Sequence, residues 1–531
     1  MTGYDVDVLV AGAGPVGLMA ASRLAQSGVS VRLVDAAAGP ATTSRALGAH
    51  ARSLEIYDQL GIVGEIAPHG TRINTFVRHQ GGRGTRLDFD FAGLPTRFPY
   101  MFNVDQVIIE RVLRASAASA GVAVEWDTRL ESFEQDEDAV TAVLCGGDGP
   151  DAERETVRAR YLWGCDGGHS TVRKALELPL KGEAAHTWLI ADAVVRTDVD
   201  RDGVHWLFPP GGALMLFPFP EPGKWRLLDT SGEGRPEDPE QIARQFSTKL
   251  SRALERDTVV ENPTWASKFT IQQRAVPAMH VGRCFVSGDA AHVHSPASGQ
   301  GLNTGVQDAY NLAWKLAMVV HGQADATLLD TYDAERVPIG QALLASTSEV
   351  MGTVMVDTAG GKAPESAESM RAFQHELIRN MSGLAIAYPD SPLTVPEDEP
   401  GEGPRPGERL TRIWAADAQS PGWTSLRARL RTPAWHLLVL AGDQDAGADD
   451  VTAAGLPDWV EPVKISRHRP DDERGVWDPD GVVRDTLAAG DGDWLLVRPD
   501  GYLSARGAGT ARLRAALDRL TGLHTSPPAR H

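Results

Sequence analysis

The sequence predicts an α/β fold into which an antiparallel β-sheet is inserted, followed by a second, smaller α/β unit. Three observations carry this. Residues Asp5–Val10 alternate in apolar character and run into a glycine-rich turn, GAGPVG at Gly12–Gly17, and then a helical pattern. Far downstream, Gly282–Leu316 reads as a buried strand, a Gly-Asp turn, a proline- and glycine-rich loop and the start of a long helix. Between them, from Trp188 to Thr230, the stretches WLIADAVV, HWLFPPGGALMLFPFP and KWRLLDTS have the texture of hairpins rich in Trp and Phe.

The opening is a strand–turn–helix–strand unit. The helical pattern (Leu18, Met19, Leu24) stops at Ser27-Gly28, and Val29–Val34 forms a second strand that closes with Asp35. In that context the glycine spacing is the fingerprint of a dinucleotide site. Gly12 permits the tight turn, Gly14 lets backbone N–H groups approach phosphate, and Gly17 lets the helix pack on the strand. Pro15 and Val16 open the helix, whose N-terminus offers partial positive charge. Asp35, 18 residues past Gly17, would accept hydrogen bonds from a ribose and repel a 2′-phosphate, favouring FAD or NAD over NADP.

Helical stretches follow at Ala51–Leu60 and Val104–Ala120. Val122–Ala159 reads as short strands around an acidic hairpin at 134–138, and Tyr161–Cys165 as a buried strand ending in Asp166-Gly167-Gly168. The α/β texture returns near Arg274 and continues to about Met381. Ser391–Gly407 carries five prolines and several acids and reads as a linker. Beyond it lie a strand at Trp435–Leu440, a hairpin turning at Pro499-Asp500-Gly501, a helix at Thr510–Leu520 and a disordered tail, HTSPPARH. The expected division is 1–180 with 275–390, then 181–274 with a contribution from about 74–97, a linker at 391–407, and 408–531.

Composition narrows the function. The 531 residues are 42% hydrophobic and 23% charged, ordinary for a soluble protein, and the net charge of −19 argues against nucleic acid or an anionic membrane as partner. The N-terminus lacks a basic, apolar leader, and no run of about 18 apolar residues occurs. Cys145, Cys165 and Cys284 form no CxxC pair, which suits a reducing cytoplasm and excludes a zinc ribbon or dithiol centre. No metal is expected.

The second glycine-rich segment suggests where a reactive ring lies. Gly288 allows a sharp exit from the strand Cys284–Ser287, and Asp289 is then placed to bond polyol hydroxyls such as a ribityl chain. Pro296 stiffens the following loop, while Gly299, Gly301 and Gly305 keep it free of side chains, so backbone can lie against a flat ring. The helix starting near Leu302-Asn303 aims its N–H groups and dipole at that ring, stabilising negative charge there by up to ~2 kcal/mol. The plain alternative is a structural loop capping a buried helix. His292 and His294 lie in this loop and are more simply packed residues than catalysts; His294 and Pro296 are the nearest candidates for direct chemistry.

With these residues in view, the chain resembles the class A flavoprotein aromatic hydroxylases, the para-hydroxybenzoate hydroxylase-like family, and within it bacterial members that tailor polyketides. The resemblance rests on GxGxxG (Gly12–Gly17), the DG motif in GCDGGHSTVR (Gly164–Arg173) and the GD motif (Gly288-Asp289), in that order, over roughly residues 5–390. It implies a Rossmann-like FAD-binding domain interleaved with a β-sheet substrate domain. It also implies contacts to FAD from Arg45 and Gln106, a shared FAD and pyridine-nucleotide role for Asp166, a ribityl contact for Asp289, and ring contacts for Pro296 and Gly299–Asn303. Read from sequence alone, Arg45 and Gln106 are solvent or helix-face residues. Two positions depart from the family pattern: Ser298 precedes Gly299 where a glycine pair is usual, and Asp35 stands where Glu is common. The C-terminal part resembles the thioredoxin-like domain of some such hydroxylases, yet it contains no cysteine and so cannot exchange dithiols.

The implied reaction uses NADPH or NADH to reduce FAD, and O₂ adds to give a C4a-hydroperoxide whose distal oxygen passes to an aromatic carbon. No second GxGxxG occurs, which fits transient docking of NAD(P)H. Trp206, Phe208, Met215, Phe217, Phe219 and Trp225 are candidates for the wall of an aromatic, polycyclic phenolic substrate, although each also reads as plain core. Strand alternation puts Met215, Phe217 and Phe219 on one side. The rivals are Baeyer–Villiger or epoxidising oxygenation on the same scaffold, a flavin dehydrogenase or oxidase, and a non-catalytic binding protein. A homodimer is the one protein partner left open.

Overall fold

The computed structural model describes residues 3–44, 46–80, 83–88, 91–147, 153–209, 212–294, 299–355, 375, 378–397, 401–442, 455–470 and 474–522. Its first eight-stranded sheet runs in the order 280–281, 284–286, 153–164, 6–11, 31–34, 124–125, with strands 140–146 and 128–135 folded off as an antiparallel ribbon. The central pairs are parallel: Val6–Ala11 lies between Glu153–Gly164 and Val31–Val34, and Cys284–Val286 pairs the far edge of Glu153–Gly164. Parallel strands need both faces covered, and helices Pro15–Gln26, Gln106–Ser119 and Gln300–Val320 pack together beside them. The stretches of these strands at the sheet's centre are apolar, with Val8, Leu9, Val10, Leu162, Phe285 and Val286 buried, whereas the outer half of Glu153–Gly164 is polar and exposed.

The second sheet also has eight strands, in the order 292–293, 259–275, 181–196, 224–229, 214–218, 203–207, 75–80, 83–88. Because side chains alternate between faces, it has two distinct surfaces. One, with Leu189, Ala191, Leu214, Leu216, Trp225 and Leu227, is covered by helix Pro239–Leu254 through Ile242, Phe246 and Leu250. Asp238 caps that helix by accepting from the Gln241 N–H at 2.9 Å, with Pro239 in its first turn. The other surface carries Trp188, Ile190, Met215, Leu228 and Ile271, with Trp206, Phe217, Trp265 and Phe269 against them.

A third sheet, ordered 476–477, 460–466, 435–440, 493–497, 503–508, forms the C-terminal unit. Trp435–Leu440 runs parallel to Val460–Ser466 and antiparallel to Asp493–Val497. One face has its own core around Trp423, Leu426, Leu438 and Leu495. The other face, including Trp435, Leu437, Trp494 and Leu496, belongs to the principal core of the molecule. Polar contacts close the same seam. Arg498 donates to both Glu335 oxygens at 2.6 and 2.9 Å, Lys315 Nζ reaches Glu335 at 2.8 Å, and Trp314 Nε1 donates to Asp500 at 3.1 Å. Burial pushes the Lys315 ammonium down to about 8 despite Glu335. Burial alone would raise the Glu335 carboxyl, but Arg498 and Lys315 hold it well below the usual range.

The proline-rich stretch is part of this seam. Ser391 Oγ donates to Glu335 at 2.6 Å, Leu393 is buried, and the Val395 and Gly407 N–H groups donate to Ser504 and Leu503 carbonyls at 2.8 and 2.7 Å. The described parts of the stretch, 391–397 and 401–407, are therefore fastened to the seam. The tail 524–531 lies outside the described residues.

Candidate active site

A cavity of about 1000 Å³ is walled by the carboxyl ends of the first sheet on one side and the open face of the second sheet on the other. Ala13–Val16 and Asp35 line it at one end and Asp289, Gly299, Gly301 and Leu302 at the other, so the two glycine-rich segments share one space. They also touch. The Val16 side chain fills a hollow left by two glycines: a Cβ at Gly288 would lie 2.9 Å from Val16 Cγ2, and one at Gly305 2.7 Å from it. Gly305 sits within helix Gln300–Val320, so its missing side chain serves Val16 and not a ring beside the loop.

At the first end, Gly12 has φ of +101°, and a Cβ on Gly17 would lie 1.8 Å from the Gly12 carbonyl oxygen. The helix can approach the strand only as glycine. At Gly14, by contrast, nothing lies within 4 Å of a Cβ position, so its backbone faces open cavity. Asp35 braces the turn, accepting from the Ala13 N–H at 2.6 Å and the Ala37 N–H at 2.8 Å. Gln106 lines the cavity and holds the neighbouring segment. Its Oε1 accepts from the Ala46 N–H at 2.9 Å and its Nε2 donates to Glu110 at 2.7 Å. Arg45, expected beside it, lies outside the described residues, as do Pro296 and Ser298.

Asp166 is off the cavity wall, whereas its neighbours Cys165 and Gly167 are on it. One carboxylate oxygen accepts from the Thr171 and Val172 N–H groups at 2.7 and 3.2 Å, and the other is buried without a partner among the described residues. Burial pushes the Cys165 thiol well up, so it stays protonated.

At the second end Gly288 has φ of +61° and delivers Asp289 to the cavity. Helix Gln300–Val320 starts at Gly299, with φ of +62°. Asn303 departs from its expected place at the ring: it is 3% exposed and off the wall, accepting from the His50 N–H and donating to the Gly48 and Gly299 carbonyls at 2.9, 2.9 and 2.7 Å. It ties the helix start to strand Gly48–Ala49. His292 Nε2 meets Asp308 at 2.6 Å, and Arg336 holds the other Asp308 oxygen at 2.7 Å. His294 does line the cavity. Burial and the neighbouring His292 push it down to about 3, so its ring is neutral.

The second-sheet wall corrects the expected aromatic set. Phe217 faces the cavity; Trp206, Phe208, Met215, Phe219 and Trp225 do not line it. Met215 is fully buried under Trp188 and Leu228, and Trp206 packs behind Phe217 against Phe76. Trp225 is on the opposite face, beneath helix Pro239–Leu254. Phe219 lies past the end of strand Leu214–Pro218, beside Lys224 and Arg226, so it does not continue the alternation. Phe208 sits under Arg78. The wall is completed instead by Phe76, Ile190, Leu228, Trp265 and Phe269. Trp265, Ser267 and Phe269 recur every second residue in one strand and so share one face of the sheet.

Arg226 is the buried cation of this wall. It bonds Asp192 through Nε and Nη2 at 2.8 and 2.9 Å and the Ser44 carbonyl at 2.7 Å, between the Phe219 and Trp265 rings. Among the described residues no cluster of metal-ligating side chains occurs, and no helix is long and apolar enough to cross a membrane.

This geometry suits a long dinucleotide: glycine backbone open to the cavity and polar groups at both ends. Comparison with known proteins points the same way. A family described as FAD binding domain matches residues 5–347. The chain is 43% identical over 532 residues to the 6-methylpretetramide 4-monooxygenase of Streptomyces rimosus, covering 98% of this chain and 94% of that one. The solved anhydrotetracycline hydroxylase OxyS from Streptomyces rimosus superposes with a TM-score of 0.73 at 30% identity, over 99% and 100% of the two chains. An aklavinone-11 hydroxylase solved with FAD and aklavinone does so with a TM-score of 0.74 at 27% identity, over 98% and 99%.

Proposed function

The chain belongs to this FAD-binding-domain family and is a FAD-dependent monooxygenase, and from that premise we propose that it hydroxylates a planar, polycyclic phenol of the polyketide type. The observation that carries the substrate class is the shared cavity: the coenzyme end formed by Asp289 and Gly299–Leu302 opens onto a wall of Phe76, Phe217, Trp265 and Phe269. Several flat rings fit such a wall better than a single small phenol. The relatives' own substrates, 6-methylpretetramide and anhydrotetracycline by name, support the reading.

Bound FAD supplies electron uptake from NADPH or NADH and activation of O₂. The chain's residues bind and orient. Gly12, Gly14 and the start of helix Pro15–Gln26 cradle the pyrophosphate, and Asp35 takes the ribose. Asp289 takes the ribityl hydroxyls, and the first turn of helix Gln300–Val320 favours negative charge beside it. By resemblance, Gln106 contacts the flavin and Arg45 meets the phosphate region of FAD. Asp166 stiffens the DG turn through the Thr171 and Val172 N–H groups. Arg226 directs its guanidinium, fixed by Asp192, toward a substrate oxygen, and the aromatic wall excludes water. His294, neutral at working pH, is no general acid.

The strand order of the C-terminal unit, with a parallel pair, then an antiparallel pair and a closing helix, supports a thioredoxin-like assignment without redox activity. Three free, buried cysteines support residence in the cytoplasm.

The test is a panel of tetracyclic phenols under ¹⁸O₂. The expected result is NAD(P)H oxidation stimulated by at least one of them and a product carrying one ¹⁸O atom on an aromatic carbon. A lactone product would replace hydroxylation with Baeyer–Villiger chemistry, and stimulation confined to single-ring phenols would end the polycyclic reading. Phe217→Ala should retain FAD yet oxidise NAD(P)H with about tenfold poorer product yield, and Asp289→Ala should purify largely colourless.

A further inference from the structure

Among the described residues that line the cavity, His294 alone has every side-chain polar atom buried and unpartnered. It is 6% exposed, and among the described residues neither Nδ1 nor Nε2 has a hydrogen-bond partner. Buried polar groups are normally satisfied, so an imidazole left this way in a cavity wall is shaped for something that enters the cavity.

The ring cannot swing away to find a partner. It stacks on His292 with centroids 4.9 Å apart and planes 16° from parallel. His292 is itself tied to Asp308, which Arg336 and the Gly288 N–H also hold. The free edge of His294 then points at Gly301. A Cβ on Gly301 would lie 3.7 Å from His294 Cδ2, 4.0 Å from His294 Nε2 and 4.0 Å from Asp289 Oδ1. One small space therefore has an imidazole nitrogen on one side and a carboxylate oxygen on another. Its floor is the first turn of helix Gln300–Val320, and it stays open because residue 301 has no side chain.

We propose that His294 is a hydrogen-bonding ligand of the ribityl chain of FAD, acting beside Asp289. The inference rests on the flavin end lying at this loop. The chemistry of the pair selects the ligand. A carboxylate accepts hydrogen bonds and offers none, and a neutral imidazole has one donor and one acceptor. Hydroxyl groups, which both give and receive, match that set. A phosphate, which only accepts, would be repelled by Asp289 and gain one donor at most. The low basicity of His294 keeps the ring neutral and so preserves the acceptor nitrogen.

The experiment uses flavin-free full-length protein: wild type, His294→Phe, His294→Gln and Asp289→Ala. Each is titrated with FAD and with FAD analogues lacking one ribityl hydroxyl, and binding is followed by flavin fluorescence. His294→Phe keeps the stacking ring and removes both nitrogens; it should bind FAD about tenfold more weakly. His294→Gln, which restores a donor and an acceptor, should recover most of that. For one of the deoxy analogues wild type and His294→Phe should bind alike, because the hydroxyl that His294 serves is gone. Equal FAD affinity of wild type and His294→Phe overturns the proposal, as does an equal loss for FAD and every analogue, which would mark a residue that only props the loop. If Asp289→Ala also binds FAD like wild type, the flavin placement falls; if Asp289→Ala alone is weakened, only the role of His294 falls. Should His294→Phe fail to fold, wild-type protein labelled with ¹⁵N-histidine decides. FAD, and not the critical deoxy analogue, must shift one imidazole's nitrogens, and no shift overturns the proposal.

Discussion

Gly17 shows how closely a single residue is bound to this fold. Its hydrogen points at the Gly12 carbonyl, so Gly17→Ala must lift helix Pro15–Gln26 from the strand it follows. Overpacking usually costs about 1–3 kcal/mol, and contact with backbone puts this case at the upper end. The expected outcome is a lower melting temperature together with loss of bound FAD, read by denaturation and by the visible spectrum. Such glycines are legible in sequence because their spacing is itself the requirement. Asn303 was not: its partners at Gly48 and His50 are remote in the chain, and nothing local distinguishes a brace from a ring contact. Trp225 misled for a related reason. An aromatic residue in a strand announces burial, and only the register of the whole sheet says on which face.

At the scale of elements, the second sheet explains both what was readable and what was not. Its hairpin texture is plain in the Trp- and Phe-rich stretches from 188 to 230. Strand Val259–Ala275 supplies Trp265 and Phe269 to the cavity, but its many polar residues hide the alternation. The same sheet carries a pH-sensitive pair. His79 Nε2 and His205 Nδ1 are 2.9 Å apart, and His205 Nε2 is 2.6 Å from the Asp200 carbonyl. Burial, and the proximity of His205, push His79 down to about 4; burial also lowers His205. Between the ordinary value of 6.5 and about 4 the unfolded chain binds protons that the folded sheet refuses, so stability rises with pH in that window. The contribution is complete above 6.5 and is lost as pH falls toward 4. Melting of the flavin-free protein from pH 7.5 to 4.5 should show this decline, and His79→Gln should make it shallower. An unchanged slope would remove the pair from the account.

For the whole molecule, the C-terminal unit is the feature that sequence least prepared one for. A run of prolines suggests a tether, yet residues 391–397 are pinned to Glu335 and Ser504, and one face of the C-terminal sheet completes the principal core. The contacts join residues hundreds of positions apart, which no local pattern encodes. Glu335→Gln leaves Arg498 and Lys315 facing each other with their shared carboxylate gone; breaking a buried pair costs about 3–5 kcal/mol. Urea unfolding of that variant should shift to lower midpoint while remaining a single transition. A chain ending at residue 390 should be insoluble, because Trp314 and its neighbours would lose their cover; a stable, yellow truncated protein would show that the core closes without it. Helix Gln300–Val320, about 32 Å long, begins beside Gly299 on the cavity wall and is tied near its far end to the C-terminal unit through Trp314, which donates to Asp500. It is a stiff rod between the cavity and the C-terminal unit, and damage at one tip should be felt at the other. Colour lost from the purified enzyme would then be the first visible sign of a fault seated far from any atom that touches FAD.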